Sequence, residues 1–166
     1  MLGDDCVGKS TLLEMYFERI FTEVYFATDT IDCFEKTYRA ESDDQEIHFK
    51  FWDTIGNVEF HSLMLPCLKA AQGIILMFDV TSTKSYDSVA TWLDQIVNHA
   101  PSSIPVIIVG NKSDLVDERA VTQKDARARA KQLGISTYFE VSCKENRNVE
   151  ECIEEIMEQV CSYIAQ

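Results

Sequence analysis

Eight residues near the start constrain the chain more tightly than any other stretch. Gly3-Asp4-Asp5-Cys6-Val7-Gly8-Lys9-Ser10 fits the spacing G-x-x-x-x-G-K-[ST]. Glycines at the two fixed positions let backbone N–H groups approach a polyphosphate closely. The helix that follows points its positive end at the same anion. Lys9 supplies a compact cation for β- and γ-phosphates, and the Ser10 hydroxyl is a hard oxygen ligand suited to Mg²⁺. A glycine-rich turn that merely precedes a helix is the plain alternative, and the rest of the chain must decide. A buried strand is expected ahead of such a loop. Only Met1 and Leu2 precede Gly3, so the first strand is expected to be truncated.

Downstream, strand-like and helix-like segments alternate, which predicts α/β with a mostly parallel sheet. Thr11 to Ile20 reads as the helix after the loop. Phe34, Lys36, Tyr38 and then Ile47, Phe49, Phe51 alternate with their neighbours. They predict an antiparallel hairpin at the sheet edge, turning at Ser42-Asp43-Asp44. Gly73 to Val80 and Ile104 to Val109 are continuous apolar runs, as strands covered on both faces require. Tyr86, Val89, Leu93 and Ile96 recur at helical spacing. Thr122 is placed to cap a helix that runs to Leu133 and stops at Gly134. A short strand is expected over Thr137 to Val141. Val149, Ile153, Ile156, Val160 and Ile164 then share one face of a terminal helix, with a glutamate-rich solvated face opposite.

The length of 166 residues argues for one domain. A composition of 46% hydrophobic and 26% charged residues supplies a core and argues against disorder. The net charge of −13 argues against nucleic acid, whose phosphates need Lys and Arg, and against direct insertion into anionic membrane. Six cysteines show neither a CxxC pair nor a Cys/His cluster, so a zinc site is not expected. They fit a reducing cytosol. Cys152 and Cys161 read as small core or part-buried residues. No signal peptide, membrane-length apolar run or terminal lipidation cysteine is visible.

Asn111-Lys112-Ser113-Asp114 follows the second buried run, about one hundred residues after the loop. The Asp114 carboxylate can accept from guanine N1–H and the exocyclic amine, an edge that adenine lacks. Asn111 and Lys112 would brace that loop and cover the ring. Ser142-Cys143-Lys144 ends the last strand, where its amides would meet the guanine oxygen. Trp52-Asp53-Thr54-Ile55-Gly56 ends the hairpin. Asp53 can hold Mg²⁺ through a water, and Gly56 can present its N–H to a γ-phosphate.

In this order the motifs resemble those of Ras-superfamily GTPases, and Rabs most of all. Rab-like chains carry GDSGVGKS, YxxTIGVDF, WDTAGQERF, GNKxDL and SAK. This chain reads GDDCVGKS, YFATDTIDCF, WDTIGNVEF, GNKSDL and SCK, and FDVTSTKSYDSVATWLDQI is also similar. The resemblance implies a P-loop NTPase fold with helices on both faces, spanning residues 1–166 as one small GTPase domain that binds GTP or GDP with Mg²⁺. It implies nucleotide contacts from Gly3, Asp5, Cys6, Val7, Gly8, Lys9, Ser10 and Thr11. Others come from Asn111, Lys112, Asp114, Leu115, Ser142, Cys143 and Lys144. Phe21 is implied to pack on the guanine ring, Tyr25 over the phosphates, and Thr28 on Mg²⁺ and the γ-phosphate. Catalysis would fall to Thr28, Gly56 and Asn57, and metal binding to Ser10, Thr28 and Asp53. Segments 22–34 and 55–70 would meet effectors, exchange factors and GTPase-activating proteins. Traffic of vesicles is the implied setting, with the protein cytoplasmic, or peripheral on endomembranes through a lipidated tail outside these residues.

The departures are specific. Asn57 stands where the family places Gln to orient water, and it is one methylene shorter, so slow hydrolysis is expected. Ile55 replaces a small alanine. Asp5 and Cys6 fill positions that are small in many relatives. Of three aromatics that present the switches, Trp52 remains and the others align with Cys33 and Cys67. Pro66 is expected to interrupt any helix through the second switch. The rival readings are a nucleotide-held scaffold that barely hydrolyses GTP, and an ATP-dependent P-loop enzyme, against which Asn111-Lys112-Ser113-Asp114 argues.

Overall fold

The computed structural model describes residues 1–23, 28, 30–39, 46–56 and 61–165. Its elements in chain order are α1 (Lys9–Glu18), β1 (Asp32–Arg39), β2 (Glu46–Asp53), α2 (His61–Ala70), β3 (Ile74–Asp79), α3 (Thr83–His99), β4 (Val106–Asn111), α4 (Gln123–Gln132), β5 (Tyr138–Glu140) and α5 (Val149–Ile164). β1 and β2 pair antiparallel from Asp32↔Asp53 to Arg39↔Glu46, as the alternation predicts. The turn expected at 42–44 lies outside the described residues. β3, β4 and β5 form a parallel sheet in that order. Met1 and Leu2 lie between the two sheets, with Leu2 bridged in parallel to Leu76.

The continuous apolar runs become strands because both of their faces are covered. On one face Leu76, Phe78 and Ile108 pack with Met64 and Leu68 of α2, Val89, Trp92 and Ile96 of α3, and Ala126 and Ala130 of α4. On the other, Ile75, Met77, Ile107 and Val109 pack with Leu12 and Leu13 of α1 and with Ile153, Ile156 and Met157 of α5. Successive residues of β3 and β4 thus serve opposite cores, as a period of two dictates. β4 begins at Val106 rather than Ile104 because Pro105 has no N–H to give a ladder; its carbonyl still accepts from Ile74 N–H at 2.9 Å. α4 matches its cap signals. Thr122 Oγ1 accepts from Asp125 N–H at 3.1 Å, and Gly134 takes φ +79° past the end.

One expectation is corrected. Pro66 does not interrupt the helix, since α2 runs through it from His61 to Ala70. The ring costs one intrahelical bond, and burial of Met64 and Leu68 against the first core offsets that cost. Ile164 ends the expected stripe of α5 and is 44% exposed.

Candidate functional site

The chain leaves Leu2 and folds Gly3–Gly8 into a tight loop with Cys6 at φ 63° and Gly8 at φ 96°. A Cβ on Gly8 would lie 2.2 Å from Asn111 Nδ2, so this position requires glycine on two counts. Gly8 is also the N-cap of α1 and brings no side-chain cap, which leaves first-turn N–H groups available to an anion. Lys9 is buried, and its ammonium donates to Gly3 O at 3.0 Å and Asp4 O at 2.9 Å. Burial lowers its pKa from the ordinary lysine value, while Asp53, Asp5 and Asp4 nearby raise it.

The ends of β4 and β5 bring the second half of the site to this loop. Asn111 is the bridge: its Nδ2 donates to Val7 O at 2.9 Å, and its Oδ1 accepts from Cys143 N–H at 3.3 Å. Ser142, wholly buried, donates its hydroxyl to Asp114 Oδ1 at 2.6 Å and accepts from Glu145 N–H at 3.0 Å. That leaves the carboxylate aimed by a neighbour that is itself held. Lys112, at φ 64°, pairs with Asp79 Oδ2 at 2.6 Å.

These pieces enclose a cavity of about 520 Å³. It is lined from the loop side by Asp5, Cys6, Gly8, Lys9, Ser10 and Thr11. Asn111, Lys112, Asp114, Leu115, Cys143 and Lys144 line the opposite side, with Phe21, Thr28 and Gly56 at the mouth. Gly3, Val7, Asp53 and Ser142 do not line it. Tyr25 and Asn57 lie outside the described residues. Gly56 packs directly on the loop: a Cβ there would fall 2.5 Å from Asp5 N and 2.6 Å from Asp5 Oδ1.

At one end of the cavity the Ser10 and Thr28 hydroxyls lie 2.9 Å apart. Asp53 is buried beside them, and its Oδ1 has no hydrogen-bond partner. Burial pushes the Asp53 carboxyl above the usual carboxylate range, against the opposing pull of Ser10 and Lys9. A buried carboxylate oxygen without a partner, next to two hydroxyls, suits a hard divalent cation.

Three features were not anticipated. Glu23 pairs with Lys144 across the mouth at 3.1 Å. Glu14 and Thr22 also line the cavity. Trp92 Nε1 of α3 donates to Asp4 Oδ1 at 2.7 Å and so ties the loop to the first core. The last pair spans 88 positions, and nothing local in the sequence signals it. Trp92→Phe keeps most of the packing and orphans a part-buried carboxylate. It is expected to cost about 2 kcal/mol, the scale of a hydrogen bond to a charged group. The check is the urea midpoint at unchanged slope.

The phosphate-type loop at the N-terminus of α1, facing a base-type loop at the carboxyl ends of parallel strands, defines a P-loop nucleotide-binding domain of the α/β class. A family model described as Ras family matches residues 1–162. Rab-27A of Canis lupus familiaris is 38% identical over 168 residues, covering 96% of this chain and 76% of its own length. Rab-3 of Caenorhabditis elegans is 35% identical over 167 residues, covering 100% of this chain and 74% of its own. The GTP-binding protein ypt2 of Schizosaccharomyces pombe is 38% identical over 151 residues, covering 91% and 74%. The chain belongs to the Ras family. It is a Rab-like small GTPase, which binds guanine nucleotide and hydrolyses GTP.

Among the described residues, no helix is long and apolar enough to cross a membrane. The cross-strand partners Cys33 and Trp52 are both exposed on the hairpin.

Proposed function

We propose that residues 1–166 form a single G domain that acts as a switch in vesicle traffic, holds Mg²⁺ with its nucleotide, and hydrolyses GTP slowly. The observation that carries this reading is the convergence of Lys9, Ser10, Asn111 and Asp114 on one cavity, with Asp53 buried behind it. Asp114 reads the base. Phe21 and Lys112 flank it, the latter held by Asp79. Amides of the Gly3–Gly8 loop and Lys9 hold the phosphates. Ser10, Thr28 and Asp53 would hold Mg²⁺, which would supply charge neutralisation at the phosphates when bound. Thr28 and Gly56 sense the γ-phosphate, and segments 22–34 and 55–70 carry that state to effectors and regulators. The exposed Cys33 and Trp52 belong to that surface. The site works in a reducing cytosol, consistent with free thiols at Cys6 and Cys33. Any hold on an endomembrane is by lipid or partner, because a net charge of −13 opposes anionic headgroups.

Nucleotide extraction from the purified protein tests this directly. GDP or GTP in near-equal molar amount is expected; adenine nucleotide or none would overturn the reading. Chelating Mg²⁺ is expected to speed nucleotide release at least tenfold, and Ser10→Ala is expected to release quickly with or without chelator. Equal release rates before and after chelation in the parent would refute the Ser10–Thr28–Asp53 assignment.

Slow hydrolysis rests on Asn57. In single-turnover cleavage, Asn57→Gln is expected to raise the rate about tenfold and leave GTP affinity nearly unchanged, since water positioning acts in the transition state. Ile55 is 5% exposed, so trimming it to alanine opens a cavity that costs about 2–5 kcal/mol. The single change Asn57→Gln is therefore the cleaner test, and a rate no faster than the parent's would sink the water-positioning argument.

A further inference from the structure

Two carboxylates stand in a loop built to hold an anion, and they are placed differently. Asp4 is tied to α3, where its Oδ1 accepts from Trp92 Nε1 at 2.7 Å. Asp5 is exposed and lines the nucleotide cavity. Gly56 fixes where in the cavity it lies. A Cβ on Gly56 would fall 2.5 Å from Asp5 N and 2.6 Å from Asp5 Oδ1, so the carboxylate rests against the Gly56 backbone. Gly56 is the residue read above as sensing the γ-phosphate. Lys9, the cation for the β- and γ-phosphates, feels the same carboxylate: Asp5 is among the charges that raise its pKa against the effect of burial. Asp5 therefore stands at the end of the cavity where a third phosphate arrives, away from the base end that Asp114 marks.

GDP and GTP share a base, a ribose and two phosphates. Asp114, Asn111 and the loop amides meet only what is common to both, so they bind the two alike. Gly56 N–H and Lys9 favour the third phosphate. Asp5 opposes them, because a further phosphoryl group brings negative charge beside a carboxylate, and like charges a few ångströms apart repel. The diphosphate has no group there to be repelled. Water at an exposed carboxylate screens the repulsion, which sets its scale at about tenfold in affinity.

We propose that Asp5 is a specificity-determining residue that biases this site toward guanosine diphosphate and against the triphosphate, an inference that rests on the placing of the γ-phosphate at Gly56 and Lys9 given above. The bias acts on which nucleotide is held, and so is separate from the effect of Asn57 on cleavage. Its consequence is a switch that rests in the diphosphate state at equal concentrations of the two nucleotides. A cation bridging Asp5 to the γ-phosphate would reverse the sign, so the sign of the effect discriminates between the two arrangements.

The test is competition on the 166-residue chain loaded with a fluorescent GDP in excess Mg²⁺. The competitors are unlabelled GDP and a GTP analogue with an imido bridge between its β- and γ-phosphates, which keeps hydrolysis from converting one ligand into the other. The parent is expected to prefer GDP by at least about tenfold. Asp5→Asn keeps the shape and removes the charge, and is expected to shift the ratio of the two dissociation constants about tenfold toward the triphosphate. Asp5→Ser, which removes bulk as well, is expected to shift it by a similar factor. The proposal is overturned if the parent holds both equally, if Asp5→Asn leaves the ratio where it was, or if it weakens the triphosphate. A shift with Asp5→Ser alone also overturns it, because bulk rather than charge is then responsible. If GDP itself fails to displace the fluorescent ligand, the nucleotide site falls and this inference with it; if GDP competes and only the ratio disagrees, the site stands and the role of Asp5 does not.

Discussion

Asp114→Asn is expected to lower GTP affinity by about 10²–10⁴-fold, from two charge-assisted hydrogen bonds of about 1.5–3 kcal/mol each. The same change is expected to raise affinity for xanthosine triphosphate, because the amide presents a donor where the carboxylate presented an acceptor. The structure supplies a second arm to this experiment. Ser142 Oγ aims Asp114 through a 2.6 Å bond, and Ser142 is wholly buried. Ser142→Ala removes the aim and keeps the carboxylate. It is expected to weaken GTP at least about tenfold, the low end of the scale for one hydrogen bond to a charged group, without any gain for xanthine. Equilibrium titration with both nucleotides separates base reading from loop damage. Unchanged GTP binding by Asp114→Asn would remove Asp114 from the site.

Lys9→Ala is expected to lower affinity for GTP and GDP by about 10–100-fold, through loss of one or two charge-assisted bonds to phosphate oxygens. Its effect on the stability of the protein alone is expected to be under about 1 kcal/mol, since desolvation of the ammonium offsets what its bonds to Gly3 O and Asp4 O contribute. The two measurements together identify a residue kept for its ligand. A large fall in melting midpoint without nucleotide, with affinity intact, would show that Lys9 only braces the loop.

The parts of this site that lie within a few residues of one another were legible in the sequence. Gly8 must be glycine and Lys9 must be a cation at fixed spacing, and both constraints are local. The buried strands β3 and β4 announced themselves because both faces are covered, which makes the run apolar without interruption. The cap at Thr122 needed only its own turn. What stayed hidden depends on distant partners. Asp79 reads as one more polar residue at a strand end until Lys112 is placed on it. Asp4 reads as an exposed loop acid until Trp92 arrives from α3. Pro66 carries a strong local signal for a break, which core packing on either side of it overrides. Local propensity is a matter of a few kcal/mol, and burial of Met64 and Leu68 is of the same order.

The division of β3 and β4 between two cores sets where this chain can change length. Ile75 and Leu76 are neighbours in sequence, yet one serves the α1–α5 side and the other the α2–α3–α4 side. Inserting or deleting one residue inside either strand would exchange every side chain beyond that point between the two cores. Each core would then receive shapes suited to the other, and neither has room to adapt at interior packing density. A two-residue change preserves the faces but moves the strand end, and with it Asn111, by about 6–7 Å relative to the phosphate loop. Changes of length are therefore better borne by the connections between elements than inside either strand, whose apolar positions accept chiefly exchange of one apolar residue for another.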